Sequence, residues 1–183
     1  MLPEISLNIL DIAQNSISAD ASLIQIYVET DSDPDLLTVT ITDNGKGMTE
    51  EMLTAVTDPF FTTRTTRNVG LGIPFFRQEA ECTGGDFSVD SAPGKGTSVT
   101  ARFHTAHIDC MPLGDVNATI HTLVTMNPGI DFVYKRRMDD RSFTLDTRQM
   151  REILGDVPFD LPEVSSFIRE YLEENETEIL KQS

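Results

Sequence analysis

The chain has 183 residues, 39% of them hydrophobic, which suits one ordinary domain with an appended subdomain and excludes an intrinsically disordered protein. A formal net charge of -16 opposes a phosphate backbone and argues against nucleic acid as a main partner. No apolar run reaches bilayer-spanning length and the start MLPEISLNILDIAQNS lacks a basic signal-peptide opening, so a cytoplasmic protein with no membrane contact is expected.

From Pro3 to Ser18 the apolar residues Ile5, Leu7, Ile9, Leu10, Ile12, Ala13 and Ile17 recur around most of a helix, which is therefore expected to be largely buried. On that helix Asn8, Asp11 and Asn15 are spaced by three and four and share one face. A buried carboxylate without a partner is expensive, so this stripe is expected to line a cleft or meet a cation. Residues 19–22 form a turn, 23–29 (LIQIYVE) alternate as a strand, and an acidic turn containing Pro34 leads to a hairpin partner over 36–42.

That partner strand runs into Asp43-Asn44-Gly45-Lys46-Gly47-Met48. Asn-Gly after alternating apolar residues signals a hairpin turn. Thr49-Glu50-Glu51-Met52-Leu53, however, reads as a helix start with Thr49 as its cap, so these glycines join strand to helix and allow a ligand close to the backbone.

Between Asp58 and Glu79 there is no acid in a chain of thirty, while Arg64, Arg67 and Arg77 all lie there. Hydroxyls and arginines give way to Gly70 and Gly72 and then to a helix from Ile73 to Cys82, closed by Gly84-Gly85. A glycine-rich entry to a helix exposes N–H groups suited to phosphate, and Arg64 and Arg67 add charge at the outer phosphates. Strand, turn and strand follow through Ala92-Pro93-Gly94-Lys95-Gly96 to Phe103. Cys82 and Cys110 stand alone and read as reduced small hydrophobes, so neither zinc nor a disulfide is expected.

After Asp109 the pattern gives a helix over 116–126, strands DFVYKRR and SFTL around a turn at Asp139-Asp140, and helices over 147–154 and 161–180. Lys135-Arg136-Arg137 is read equally as a solvated strand edge or as a partner patch.

DIAQNSISADAS, DNGKGM, DPFFTTR with GLGI, and APGKGTSV occur in order, and together they resemble the asparagine box, the glycine boxes with their lid, and the last box of the GHKL superfamily, the Bergerat-type ATPases. The lid and GG before FSVDS resemble the histidine-kinase branch, the asparagine box the mismatch-repair branch. The resemblance covers residues 1–104 and places domains at 1–106, the ATP-binding part, and 107–183, an α/β extension without assigned role. It implies an α+β fold, a two-layer α/β sandwich with helices on one face of a mixed sheet, and ATP with magnesium as ligands. By resemblance Asp43 meets the adenine amino group, Asn15 is a magnesium ligand, and Gly45, Gly47, Met48, Gly70, Leu71 and Gly72 contact the nucleotide and its phosphates. Thr97 supports adenine through Asp43 and water. Asp11 falls where the superfamily has a glutamate base, one methylene longer.

Sensor kinases carry a phosphoacceptor histidine in a separate helical hairpin; His104, His107 and His121 stand in no such context, so self-phosphorylation in cis is not expected. The expected activity is phosphotransfer or signalling regulation in trans, with a regulatory protein partner and homodimerisation as candidates. The alternatives are an anti-sigma-type serine kinase and a non-catalytic switch that closes on ATP.

Overall fold

The computed structural model describes residues 4–58 and 72–181. Its elements run α1 (Ile5–Ser18), β1 (Leu23–Ser32), β2 (Asp35–Asp43), α2 (Glu50–Thr57), α3 (Gly72–Cys82), β3 (Phe87–Ala92), β4 (Gly96–His104), α4 (Val116–Met126), β5 (Asp131–Met138), β6 (Arg141–Asp146), α5 (Thr147–Leu154) and α6 (Pro162–Leu180). Local chemistry sets several boundaries. Thr49 caps α2 by accepting the Met52 N–H, Asp115 caps α4 by accepting the Ala118 N–H, and Pro162 opens α6. The α1 N-terminus has no side-chain cap; its Ile5 and Ser6 N–H groups donate to the carbonyls of Pro112 and Leu113 instead.

The strands form one sheet in the order β3-β4-β2-β1-β5-β6. Neighbours are antiparallel except β1 and β5, which run parallel from Leu23 opposite Asp131 to Thr30 opposite Met138. The sheet is thus mixed, and the fold is the expected α/β sandwich. Alternation buries one face: Ile24, Ile26 and Val28 of β1 lie beside Leu37, Val39 and Ile41 of β2, with Val99, Ala101 and Phe103 of β4 beyond. Over that face α3 rests on β3 and β4, α1 on β2, and α4 and α6 on β5. The buried apolar side chains make a single cluster that extends from Ile5 to Ile179.

The acidic turn is shorter than the sequence indicates, because β1 continues to Ser32, paired with Asp35. The cationic run is not at a solvated edge, since β5 is an interior strand. Arg136 is 3% exposed, with Nε 3.3 Å from Glu176 Oε1 and a bond to the Val28 carbonyl; Arg137 pairs with Glu29 and Asp31 of β1. Cys82 and Cys110 are both free. Among the described residues no helix is long and apolar enough to cross a membrane.

Candidate functional site

The site is built on the last residue of the buried row in β2. Leu37, Val39, Ile41 and Asp43 share the helix-covered face, so the period of the strand carries a carboxylate to the position where another core side chain would sit. Asp43 is 8% exposed and neither of its oxygens is idle. Ser16 Oγ, on the sheet-facing side of α1, donates to Oδ2 at 2.6 Å, and the Gly45 N–H donates to Oδ1 at 2.8 Å. Two neutral donors fix its orientation, and among the described residues it forms no salt bridge.

The loop after Asp43 is clamped from two sides. Asn44 Oδ1 accepts from the N–H groups of Ser22 and Leu23, and the Lys46 N–H donates to the Ala19 carbonyl. On the other side the Gly94 N–H donates to the Lys46 carbonyl at 2.7 Å, and the Met48 N–H to Ser91 Oγ at 2.9 Å. Gly47 has φ +69, and a Cβ there would lie 2.0 Å from the Ala92 carbonyl oxygen, so contact with the β3–β4 hairpin already requires this glycine.

Between α1, this loop and the sheet lies a cavity of about 400 Å³, within the usual range for small-molecule sites. Ile12, Ile41, Met48, Met52, Ile73 and Val99 make its apolar walls; Asn15, Ser16, Asp43, Lys46 and Thr97 contribute the polar groups. An apolar slot with a fixed acceptor at its floor suits a flat heteroaromatic ring bearing an amino group. Among the described residues Asn15 Nδ2 is buried without a hydrogen-bond partner, a wall group left to a ligand. Thr97, opposite Asp43 in the β2–β4 register, has its hydroxyl 2.8 Å from Ser91 Oγ.

Of the residues singled out in the sequence, Asn15, Asp43, Gly47, Met48 and Thr97 line the cavity, and Gly45 serves it by holding Asp43. Gly72 opens α3 against Asp11: a Cβ there would come within 2.6 Å of Asp11 Oδ2. Asp11 lies one turn before Asn15 and is not among the lining residues. Arg64, Arg67, Gly70 and Leu71 lie outside the described residues. Asn8, expected to meet a cleft or a cation, is fully buried and donates to Glu79 of α3. Among the described residues Asn8 Oδ1 and Glu79 Oε1 remain buried without partners, and burial pushes the Glu79 carboxyl up, partly opposed by the Asn8 bond. Reasoning from sequence missed Ser16, Lys46 and Ser91. Ser16 follows Asn15 directly and was legible as a second polar residue at the buried end of α1; nothing local marks Ser91. His121 is committed to Ser165 of α6, 2.9 Å from its Oγ.

Fold and cavity together define an α/β sandwich with a ligand slot between its helical layer and its mixed sheet. The chain belongs to the histidine kinase-, DNA gyrase B-, and HSP90-like ATPase family, HATPase_c, which matches residues 1–107 and brings with it ATP binding and a histidine-kinase-like ATPase domain. It is 42% identical over 62 residues to the sensor histidine kinase ZraS of Klebsiella oxytoca, covering 34% of this chain and 13% of that protein. It is 36% identical over 93 residues to ZraS of Salmonella typhimurium, covering 50% and 20%. The signal transduction histidine-protein kinase AtoS of Escherichia coli is 35% identical over 101 residues, covering 55% and 16%. The chain thus spans no more than 20% of these relatives' lengths. In fold it is similar to the Aquifex aeolicus MutL ATPase domain complexed with ADP, with TM-score 0.54 at 12% identity over 84% of this chain and 70% of that one. The topoisomerase IV ATP-binding domain of Francisella tularensis gives TM-score 0.52 at 14% identity over 79% and 88%.

Proposed function

We propose that this chain binds magnesium-ATP in the cavity and uses it in phosphotransfer or signalling regulation directed at another molecule. The observation that carries this is Asp43, a buried acceptor held by Ser16 and Gly45 at the end of an apolar slot. Asp43 accepts from the adenine amino group, and Asn15 on the cavity wall offers its amide oxygen to magnesium, which takes oxygen ligands and keeps several waters, while the unpartnered Asn15 Nδ2 is left to donate to the nucleotide. When bound, magnesium neutralises charge on the outer phosphates. Arg64 and Arg67 add positive charge there, and Gly70, Leu71 and Gly72 offer backbone donors. Asp11 acts as the base that orients water. The acceptor for a phosphoryl group comes from a protein partner or a second copy; His121 is tied into the α4–α6 contact. ATP as ligand supports a cytoplasmic location.

One observation favours an ATP-controlled switch with little or no turnover: Asp11 faces Gly72 and lies outside the cavity lining. The two alternatives separate in one experiment. Magnesium-ATP is titrated calorimetrically into the protein, phosphate release is followed on the same samples, and Asp11→Asn is run in parallel. Saturable binding with phosphate release lost in Asp11→Asn supports catalysis, and binding without release supports the switch. Absence of binding refutes both.

A further inference from the structure

Resting on the assignment of this cavity to a nucleotide, we infer that Ser91 sets its base selectivity by fixing the direction in which the Thr97 hydroxyl points its proton. Ser91 does not line the cavity; it stands behind Thr97 in the β3–β4 pair, opposite it in register. Its Oγ has three neighbours: the Gly96 carbonyl at 3.0 Å, the Met48 N–H at 2.9 Å and Thr97 Oγ1 at 2.8 Å.

A serine hydroxyl has one proton and two lone pairs. The Gly96 carbonyl only accepts, so all three contacts are hydrogen bonds only when the Ser91 proton goes to it. The Met48 N–H only donates, so it takes one lone pair. The second lone pair is then left for Thr97, whose own proton is therefore directed at Ser91 and away from the cavity. Thr97 shows the cavity lone pairs alone. Asp43 does the same, because a carboxylate has no proton to offer and both of its oxygens already receive donors. Asp43 and Thr97, paired across β2 and β4, thus make a wall that accepts and does not donate.

At position 6 of a purine such a wall complements an amino group and opposes a keto oxygen, which brings an acceptor to the same place. Ser91 is a positioning residue in this scheme. Without its hydroxyl, the Thr97 hydroxyl is released to rotate and donate to a keto oxygen.

The test is titration of ATP, inosine triphosphate and purine riboside triphosphate, the last with hydrogen at position 6, into wild type and into Ser91→Ala and Ser91→Thr. Wild type is expected to bind ATP about tenfold to a hundredfold more tightly than inosine triphosphate, with purine riboside triphosphate between them. In Ser91→Ala the ratio of ATP to inosine triphosphate affinity should fall about tenfold. Any loss from the freed Met48 N–H affects both nucleotides and cancels in the ratio. Ser91→Thr keeps the hydroxyl and should keep the wild-type ratio. Equal loss of both affinities in Ser91→Ala, with the ratio unchanged, overturns the inference and leaves ATP binding standing. If Ser91→Ala fails to fold, wild type decides: inosine triphosphate binding as tightly as ATP means that the wall does not reject the keto oxygen, which overturns it. Wild type that binds none of the three refutes the nucleotide assignment and this inference together.

Discussion

Asp43→Asn removes one charge and exchanges one acceptor oxygen for an amide, in a place where both oxygens are in use. The Gly45 N–H cannot turn, so the one oxygen that the substituted side chain keeps stays with it, at the position 2.8 Å away. The new NH2 then faces Ser16, whose hydroxyl rotates to accept, and its second proton points into the cavity. Both internal bonds survive in altered form, and fold stability should change by less than about 1 kcal/mol. Ligand binding fares differently, because the acceptor meant for a base amino group has become a donor. Loss of a hydrogen bond to a charged group is worth roughly 1.5–3 kcal/mol, which corresponds to a tenfold to hundredfold weaker Kd for magnesium-ATP. Calorimetric titration at fixed magnesium and salt measures it, with a thermal melt of the same sample as the control for folding. A folded Asp43→Asn protein that binds ATP within about threefold of wild type refutes the assignment of Asp43 to the base. A variant destabilised by about 3 kcal/mol or more refutes the claim that Ser16 turns freely.

The Asn8–Glu79 contact gives a pH dependence of defined sign. Burial raises the Glu79 carboxyl, so its contribution to stability is present at low pH and is lost as pH rises through the raised value. Glu79→Gln should therefore be more stable than wild type at neutral and alkaline pH, and the two should converge in acid. Parallel melts from pH 4 to pH 9 check this, and a constant difference between the two proteins counts against it. Arg136→Ala should destabilise by about 3–5 kcal/mol in urea unfolding, because it leaves Glu176 half-buried without its cation. The double change Arg136→Met with Glu176→Met should recover most of that loss.

What was legible in the sequence was what neighbouring residues decide. Thr49 announces α2 by its own capping bond, and Leu37, Val39 and Ile41 announce a buried row whose next member, Asp43, is out of character and so marks the site. The elements that pair across long stretches of chain were not legible. Asn8 reads as a cleft residue because its partner Glu79 is 71 residues away, on a helix whose angle no local pattern states. Arg136 reads as a solvated edge or a partner patch when its strand is taken alone; parallel pairing of β5 with β1 requires a crossover, and that pairing brings Glu176 and the Val28 carbonyl to it. Ser91 is invisible for another reason: its role is an inventory of protons among four groups, and residue spacing carries no information about protons.

The parallel pairing also decides how far residues 1–107 can stand without the rest. Removing the chain from Ile108 onward takes away β5 and exposes the edge of β1 from Leu23 to Thr30, whose Ile24, Ile26 and Val28 lie in the centre of the core. It also removes the Pro112 and Leu113 carbonyls that satisfy the first N–H groups of α1, and with α4 the helix that flanks α1 on one side. Val116, Ile120, Leu123, Val124, Phe132 and Tyr134 leave the same continuous cluster that includes Ile5 and Ile9. Each fully buried side chain of this kind is worth about 1.5–3 kcal/mol, so newly exposing three or four of their former neighbours would use up the roughly 5–15 kcal/mol by which a domain is usually stable. A fragment of residues 1–107 is therefore expected to lack a cooperative thermal transition and, since α1 carries Asn15 and Ser16, to lose ATP binding with it. A fragment that melts cooperatively near the full-length midpoint and still binds ATP would show that the C-terminal strands are an addition to a complete fold. In that case the partner surface is to be sought on them.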